Sequence, residues 1–280
     1  MTIRNPVEWT YDVLRAGLPR GHYRSRAELT DTVPRPRRIG VSDLREALKK
    51  GFEDFGAYRT DVLFIGIIYP AIGLVLAQLV IGHELLPLIF PLFAGFALMG
   101  PAAASGLYEM SRRRENGEEV TWADCFAVVS RPTFGAILGL TAILAGVFLV
   151  WLGVAMGIYS LTLGSEPPVS IGAFVNDVLF TREGNTMIVF GCGVGFLFAL
   201  FVLVTSTFSY PMLVDRNVTL LSAVGASFAA FRANPVVLSV WGLIVAAALA
   251  VGTLPVLLGL IVVMPVLGHA TWHLYRRTFG

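Results

Sequence analysis

Between residues 60 and 275 the chain is a succession of apolar stretches, each long enough to cross a membrane as a helix. A helical crossing takes roughly 20 residues, and no soluble fold hides several such stretches in a chain of this length. The first covers 61–82 and stops at His83-Glu84, and the second covers 85–108 and stops at Arg112-Arg113-Arg114. The third covers 132–163 and the fourth 187–214, the latter ending at Asp215-Arg216. A polar segment with Pro167-Pro168 and Asn176-Asp177 separates these two. Charged residues make up only 14% of the chain, where a soluble domain carries about 25%.

The last apolar stretch, 235–274, reads two ways. As one helix it would be about 60 Å long, which tilt does not absorb. As two spans, 236–252 and 255–275, it turns at Gly252-Thr253-Leu254-Pro255, its one breaker cluster. Charge decides for two. With six spans and a cytoplasmic N-terminus, the inside segments hold 20 of the 21 Lys and Arg, and only Arg182 is left outside. Five spans would place Arg276-Arg277 on the wrong side. The expected fold class is therefore all-α integral membrane: a six-helix transmembrane bundle over 41–280, behind a partly disordered cytoplasmic arm over 1–40.

A three-fold pattern runs through the membrane domain, each helical hairpin being preceded by an amphipathic interfacial helix. The first has Leu44, Ala47, Leu48, Gly51, Phe52 and Phe55 on one face, with Ser42 as N-cap and Asp43 and Glu46 in its first turn. The second has Trp122, Cys125, Phe126 and Val129, with Thr121 and Asp124 at capping-box spacing. The third has Leu220, Val224, Phe228 and Phe231. Arg59, Arg131 and Arg232 precede the three hairpins, and Pro101, Pro211 and Pro265 fall in their second spans. Basic flanks beside Phe, Trp and Leu suit helices that lie in the interface or pack beneath the bundle.

Helices associate in lipid through small residues. Gly135 with Gly139 and Gly153 with Gly157 in the third span, and Gly191 with Gly195 in the fourth, are the candidates for a close crossing of these two spans. Chemistry is sparse. Asp61, Glu109, Asp215 and His273 fall near span ends, within reach of headgroups or water, and no carboxylate is expected to be buried. Thr205, Ser206 and Ser209, together with His269 and His273, form the candidate polar path. The two histidines share a helix face, but no third ligand stands near them in sequence, so no metal site and no cofactor is expected. Cys125 and Cys192 have no metal or disulfide spacing and read as buried thiols. No catalytic motif is present in a usable context, and the basic residues lie where topology needs them, which leaves no nucleic-acid surface.

The run Asp43-Leu44-Arg45-Glu46-Ala47-Leu48 with Gly51-Phe52-Glu53-Asp54-Phe55 resembles the opening of an uncharacterised family of bacterial polytopic inner-membrane proteins. So do Phe90-Pro91-Leu92-Phe93-Ala94-Gly95-Phe96 with Gly100-Pro101, and Gly106-Leu107-Tyr108-Glu109 with Ser111-Arg112-Arg113. The family is defined by a domain of unknown function, and the resemblance extends over about 38–278. It implies an inner-membrane location in a Gram-negative bacterium and carries no catalytic residues. Some relatives bear the label cytochrome c oxidase subunit I. That catalytic subunit is a twelve-helix protein with six transmembrane histidine ligands, and this chain has four histidines in all, so it is not that subunit.

Two classes of function follow. The first is a non-enzymatic accessory, assembly or scaffold protein in contact with the lipid bilayer and with a larger membrane complex, respiratory or otherwise energy-transducing. Its docking element would be the N-terminal arm through Trp9, Tyr11, Val13 and Leu14. The second is a standalone carrier or pore for a small solute, with the hydroxyls of the polar path along its axis.

Overall fold

The computed structural model describes residues 29–57, 85–164, 166–255 and 257–280, with positions 67, 71–75 and 78 between them. The docking residues Trp9, Tyr11, Val13 and Leu14, the flanking Arg59 and Asp61, the side chain of Trp122 and nearly all of the first expected span lie outside the described residues. The fold is all-helical, without a strand among the described residues. An extended strap, 29–40, leads into α1 (Val41–Ala57). A 3₁₀ turn (Leu86–Leu88) opens α2 (Ile89–Leu98), followed by α3 (Gly100–Ala103) and α4 (Ser105–Glu115). A 3₁₀ helix (Trp122–Ser130) then leads to α5 (Phe134–Thr162), α6 (Ile171–Phe180), α7 (Arg182–Ser206) and α8 (Ser209–Asp215). Last come α9 (Leu220–Ala233), α10 (Pro235–Thr253) and α11 (Leu260–Phe279).

Three helical stretches are long and apolar enough to cross a membrane: Phe134–Thr162, Arg182–Asp215 and Pro235–Thr253. Only 22%, 6% and 17% of their most apolar windows are buried within the chain. Apolar surface left open on that scale needs lipid, not water, around it. Leu86–Gly95, Ile171–Phe180 and Leu220–Ala233 are shorter apolar helices.

Prolines account for where the expected spans break. The stretch 85–108 is not one helix: it interrupts at Met99, where Pro101 offers no N–H to the carbonyl four residues back. The fourth span begins earlier than its apolar run, at Arg182, capped by the Thr181 hydroxyl, and interrupts between α7 and α8, where Pro211 has the same effect. The final stretch does divide in two. The chain turns at 254–255 and 257–259, with Leu257 in the left-handed region at φ 65°, and continues as α11 to Phe279.

The core lies at one end of these helices rather than midway along the apolar ones. Tyr108 and Met110 of α4, Tyr210, Met212, Leu213 and Val214 of α8, and Trp272, Leu274 and Tyr275 of α11 are fully buried together. The strap and α1 close over this end. Asn234, buried between α9 and α10, accepts a hydrogen bond from the Ile39 N–H and donates one to the Arg37 carbonyl, both at 2.9 Å. Asp31 accepts from the hydroxyls of Thr219 and Ser222 at the start of α9.

The three surface helices differ in detail from the amphipathic helices expected. α1 starts one residue before Ser42, and its first turn is closed by the Asp43 carboxylate on the Gly40 N–H at 2.8 Å. Leu44, Ala47 and Gly51 face inward while Phe52 faces out. The second helix winds as 3₁₀, with period three, and buries Cys125 and Val128 but not Phe126 or Val129. Its Thr121–Asp124 capping contact is present, the Thr121 N–H donating to Asp124 Oδ2 at 2.8 Å. In α9, the buried line is Ala223, Ala226, Ser227 and Ala230, with Leu220, Val224 and Phe231 packed beside it and Phe228 exposed.

Candidate functional site: a buried polar junction

Ionic junctions gather at the buried end, and among the described residues three stand out, built around Asp54, around Glu109 and around Asp215 with Glu115. The first centres on Asp54, which α1 carries on its inward face in line with Ala47 and Gly51, so that it is 4% exposed. Its Oδ2 receives the Ser111 hydroxyl at 2.7 Å and lies 2.9 Å from His273 Nε2, while Arg114 pairs with Oδ1. Ser111 Oγ also lies 2.7 Å from Nδ1 of His269. α1, α4 and α11 therefore meet in one continuous chain of polar atoms. Burial opposes ionisation of Asp54, but the hydrogen bonds it accepts from His273 and Ser111 outweigh it, leaving the carboxyl below its ordinary value.

The second junction centres on Glu109 of α4, 2% exposed. Arg112 and Arg113, three and four residues on, fold back onto it from the next turn, and Arg131 reaches it from the start of α5. Arg113 also pairs with Asp124, at 2.8 Å. Burial again pushes the Glu109 carboxyl up, and the arginines more than offset it. The third junction joins α4, α8 and α11: Tyr275 donates to Asp215 at 2.7 Å, and Arg276 and Trp272 both donate to Glu115.

These contacts change the sequence reading at several residues. Glu109 is sealed among arginines rather than open to headgroups or water. Asp54 and Glu109 are buried carboxylates, where none was expected. The cue for Glu109 is the i+3 and i+4 arginine spacing. For Asp54 it is the helical period, which places it in line with Ala47 and Gly51 instead of on the polar face. His269 and His273 do share a face, and the structure adds Asp54 between them. No group of three His, Cys, Asp or Glu side chains able to hold a metal ion is present among the described residues.

The hydroxyls of the candidate polar path turn inward to backbone. Thr205 donates to the Phe201 carbonyl, Ser206 to Val202 and Ser209 to Thr205. They are not brought into the histidine junction by any hydrogen bond among the described residues. Of the six candidate packing glycines, Gly195 alone sits tightly, where an added Cβ would lie 3.0 Å from the Trp151 ring. At Gly135, Gly153, Gly157 and Gly191 an added Cβ meets nothing within 4 Å, and at Gly139 it reaches Leu220 only at 4.0 Å. α5 and α7 do pack, but through Trp151, whose ring lies 5.4 Å from that of Phe198 and whose Nε1 donates to the Pro91 carbonyl. Close approach occurs elsewhere: at Gly51 on Ala270, Gly106 on Cys125 and Gly268 on Leu107. Cys125 is buried, and burial pushes its thiol up to about 12. Cys192, read as buried, is exposed on the apolar face of α7.

Residues 89–215 match the model of a family described as Predicted integral membrane protein (DUF2189). This is a family of unknown function. The match takes in the Phe90–Phe96 and Gly106–Arg113 runs and stops short of the α1 motif. No curated protein and no solved structure matches the chain.

Proposed function

We propose that this integral membrane protein is a non-enzymatic scaffold or assembly factor of a bacterial inner membrane, attached to a larger membrane complex. In this reading the chain makes six spans, over about 61–82, 85–108, 132–163, 187–214, 236–252 and 255–275, with both termini in the cytoplasm. The distribution of Lys and Arg supports that orientation.

One observation carries the choice of scaffold over carrier. The hydroxyls of the candidate path and its neighbour Thr207 are consumed by the chain itself: Thr205, Ser206, Thr207 and Ser209 all donate to helix carbonyls. A solute path needs polar groups free to replace water around the solute, and a hydroxyl already bonded to its own helix supplies little. The buried carboxylates, for their part, are neutralised by arginines at the helix ends instead of standing alone at depth. A cytoplasmic end held rigid by three ionic junctions, below helices whose apolar sides are open, is suited to presenting surfaces to other membrane proteins.

The test is extraction from native membranes at natural expression level in a mild detergent, followed by sizing and mass spectrometry. Stoichiometric co-migration with a larger complex is expected, and deletion of residues 1–38 is expected to weaken it if the arm docks. Migration alone, together with solute flux in liposomes, would overturn the reading in favour of a carrier or pore.

A further inference from the structure

Ser111 decides the protonation of its neighbours. Its hydroxyl has one hydrogen and lies 2.7 Å from both Asp54 Oδ2 and His269 Nδ1. Asp54 is the ionised partner of Arg114 and His273, so it takes the serine hydrogen, and Ser111 Oγ must accept from a proton on His269 Nδ1. The second nitrogen of that ring, Nε2, is then bare. The ring is 0% exposed, and Nε2 has no hydrogen-bond partner among the described residues.

We propose that this junction is a proton-operated clasp, in which α1 stays docked on α11 while His269 is neutral and is released when Nε2 takes up a proton. The charged ring would place an N–H donor where no acceptor stands, and a buried donor left unpaired is disfavoured. It would also set a positive charge near Arg114 of α4 and His273 of its own helix. Asp54 of α1 is the single facing anion among the described residues; its Oδ2 lies 3.8 Å from His269 Nδ1, on the side away from Nε2, and its oxygens already receive Ser111, His273 and Arg114. α10, packed along α11, contains no ionisable side chain. Asp215 of α8 is held by Tyr275 and Arg276, and the strap meets α11 at Thr278 through the Arg37 N–H.

The neighbouring His273 is partly exposed, and its Nε2 already has a partner in Asp54 at 2.9 Å. Acid release is therefore assigned to His269, whose Nε2 has none among the described residues. Release uncovers the face of Leu44, Ala47 and Gly51, which α11 otherwise covers.

Backbone hydrogen exchange of the full chain in lipid nanodiscs tests this, at pH about 7.5 and about 5, either side of the ordinary histidine value of about 6.5. After correction for intrinsic exchange, protection of residues 41–57 is expected to fall at least about tenfold at the lower pH while α5 and α10 keep theirs. Unchanged protection of α1 in the wild type overturns the proposal. His269→Asn retains an N–H for Ser111 and takes no second proton, so it is expected to hold α1 at both pH values; persistence of acid release in it also overturns the proposal. Should His269→Asn not fold, His273→Gln decides, since it is expected to release as the wild type does and a loss of release would move the sensor to His273.

Discussion

Arg131 places both Nε and Nη2 on one oxygen of Glu109, at 3.0 and 2.7 Å, across 22 residues of sequence. The contact ties the start of α5, which is open to lipid, to α4, which is buried in the polar end. Arg112 and Arg113 complete a cage in which one carboxylate holds three guanidinium groups. Removing the carboxylate would leave three cations crowded together, with Asp124 and Glu118 paired to Arg113 and Asp215 acting on Arg112 and Arg131 from farther off.

Glu109→Gln is therefore expected to destabilise the protein by about 3 kcal/mol, the scale for breaking a buried, hydrogen-bonded ion pair. Thermal unfolding in detergent checks this. Glu109→Asp, which keeps the charge and shortens the reach, is expected to fall between the two.

Acid should act on the same cage in a defined window. The Glu109 and Asp54 carboxyls both lie below their ordinary values in the folded chain. The unfolded chain thus takes up protons first as pH falls. Their contribution is complete above the ordinary carboxylate range of about 4 and is lost as pH drops through the lower folded values. Denaturation midpoints measured across pH about 2.5–6 should show this loss in the wild type and a shallower slope in Glu109→Gln.

Gly51 marks the tightest point between α1 and α11. A Cβ built there lies 2.7 Å from the Val266 carbonyl and 2.8 Å from both N and Cβ of Ala270. Gly51→Ala should thus destabilise by about 1–3 kcal/mol through overpacking, which outweighs the helix-propensity gain of about 1 kcal/mol. Gly56→Ala, on the same helix with nothing within 4 Å, is expected to be neutral or slightly stabilising. Protease resistance of α1 in the two variants separates packing from propensity.

Gly195 and Gly153 form a second such pair of opposites. Gly195→Leu drives a side chain into Trp151 and is expected to cost about 1–3 kcal/mol. Gly153→Ala and Gly157→Ala meet open space and are expected to leave unfolding of the monomer unchanged within about 0.5 kcal/mol.

Part of this architecture is legible in the sequence. The lengths of the apolar runs marked α5, α7 and α10, because a helix long enough to cross a bilayer needs no tertiary partner to declare itself. The division of the last stretch followed from Gly252 and Pro255, whereas the interruption before α8 did not: the fourth span was read as unbroken through Pro211, and Pro265 lies inside an unbroken α11. The Thr121–Asp124 cap was readable because it is local. The GxxxG spacing was a weaker guide: it records that two small residues share a helix face, not which helix lies opposite. In α5 the face that meets α7 is read through Trp151, a large residue filling the gap, instead of through a small one permitting it.

The sequence by itself determined the long apolar helices α5, α7 and α10, since these depend on hydropathy within single segments. Tertiary structure decided what the polar residues do. Asp54, Ser111, His269 and His273 are 57 to 219 residues from one another's partners along the chain, and nothing local distinguishes an aspartate facing water from one facing two histidines. The direction of each charged side chain depends on which neighbour is there to receive it, and the neighbour is supplied by the packing of α1 and α4 on α11.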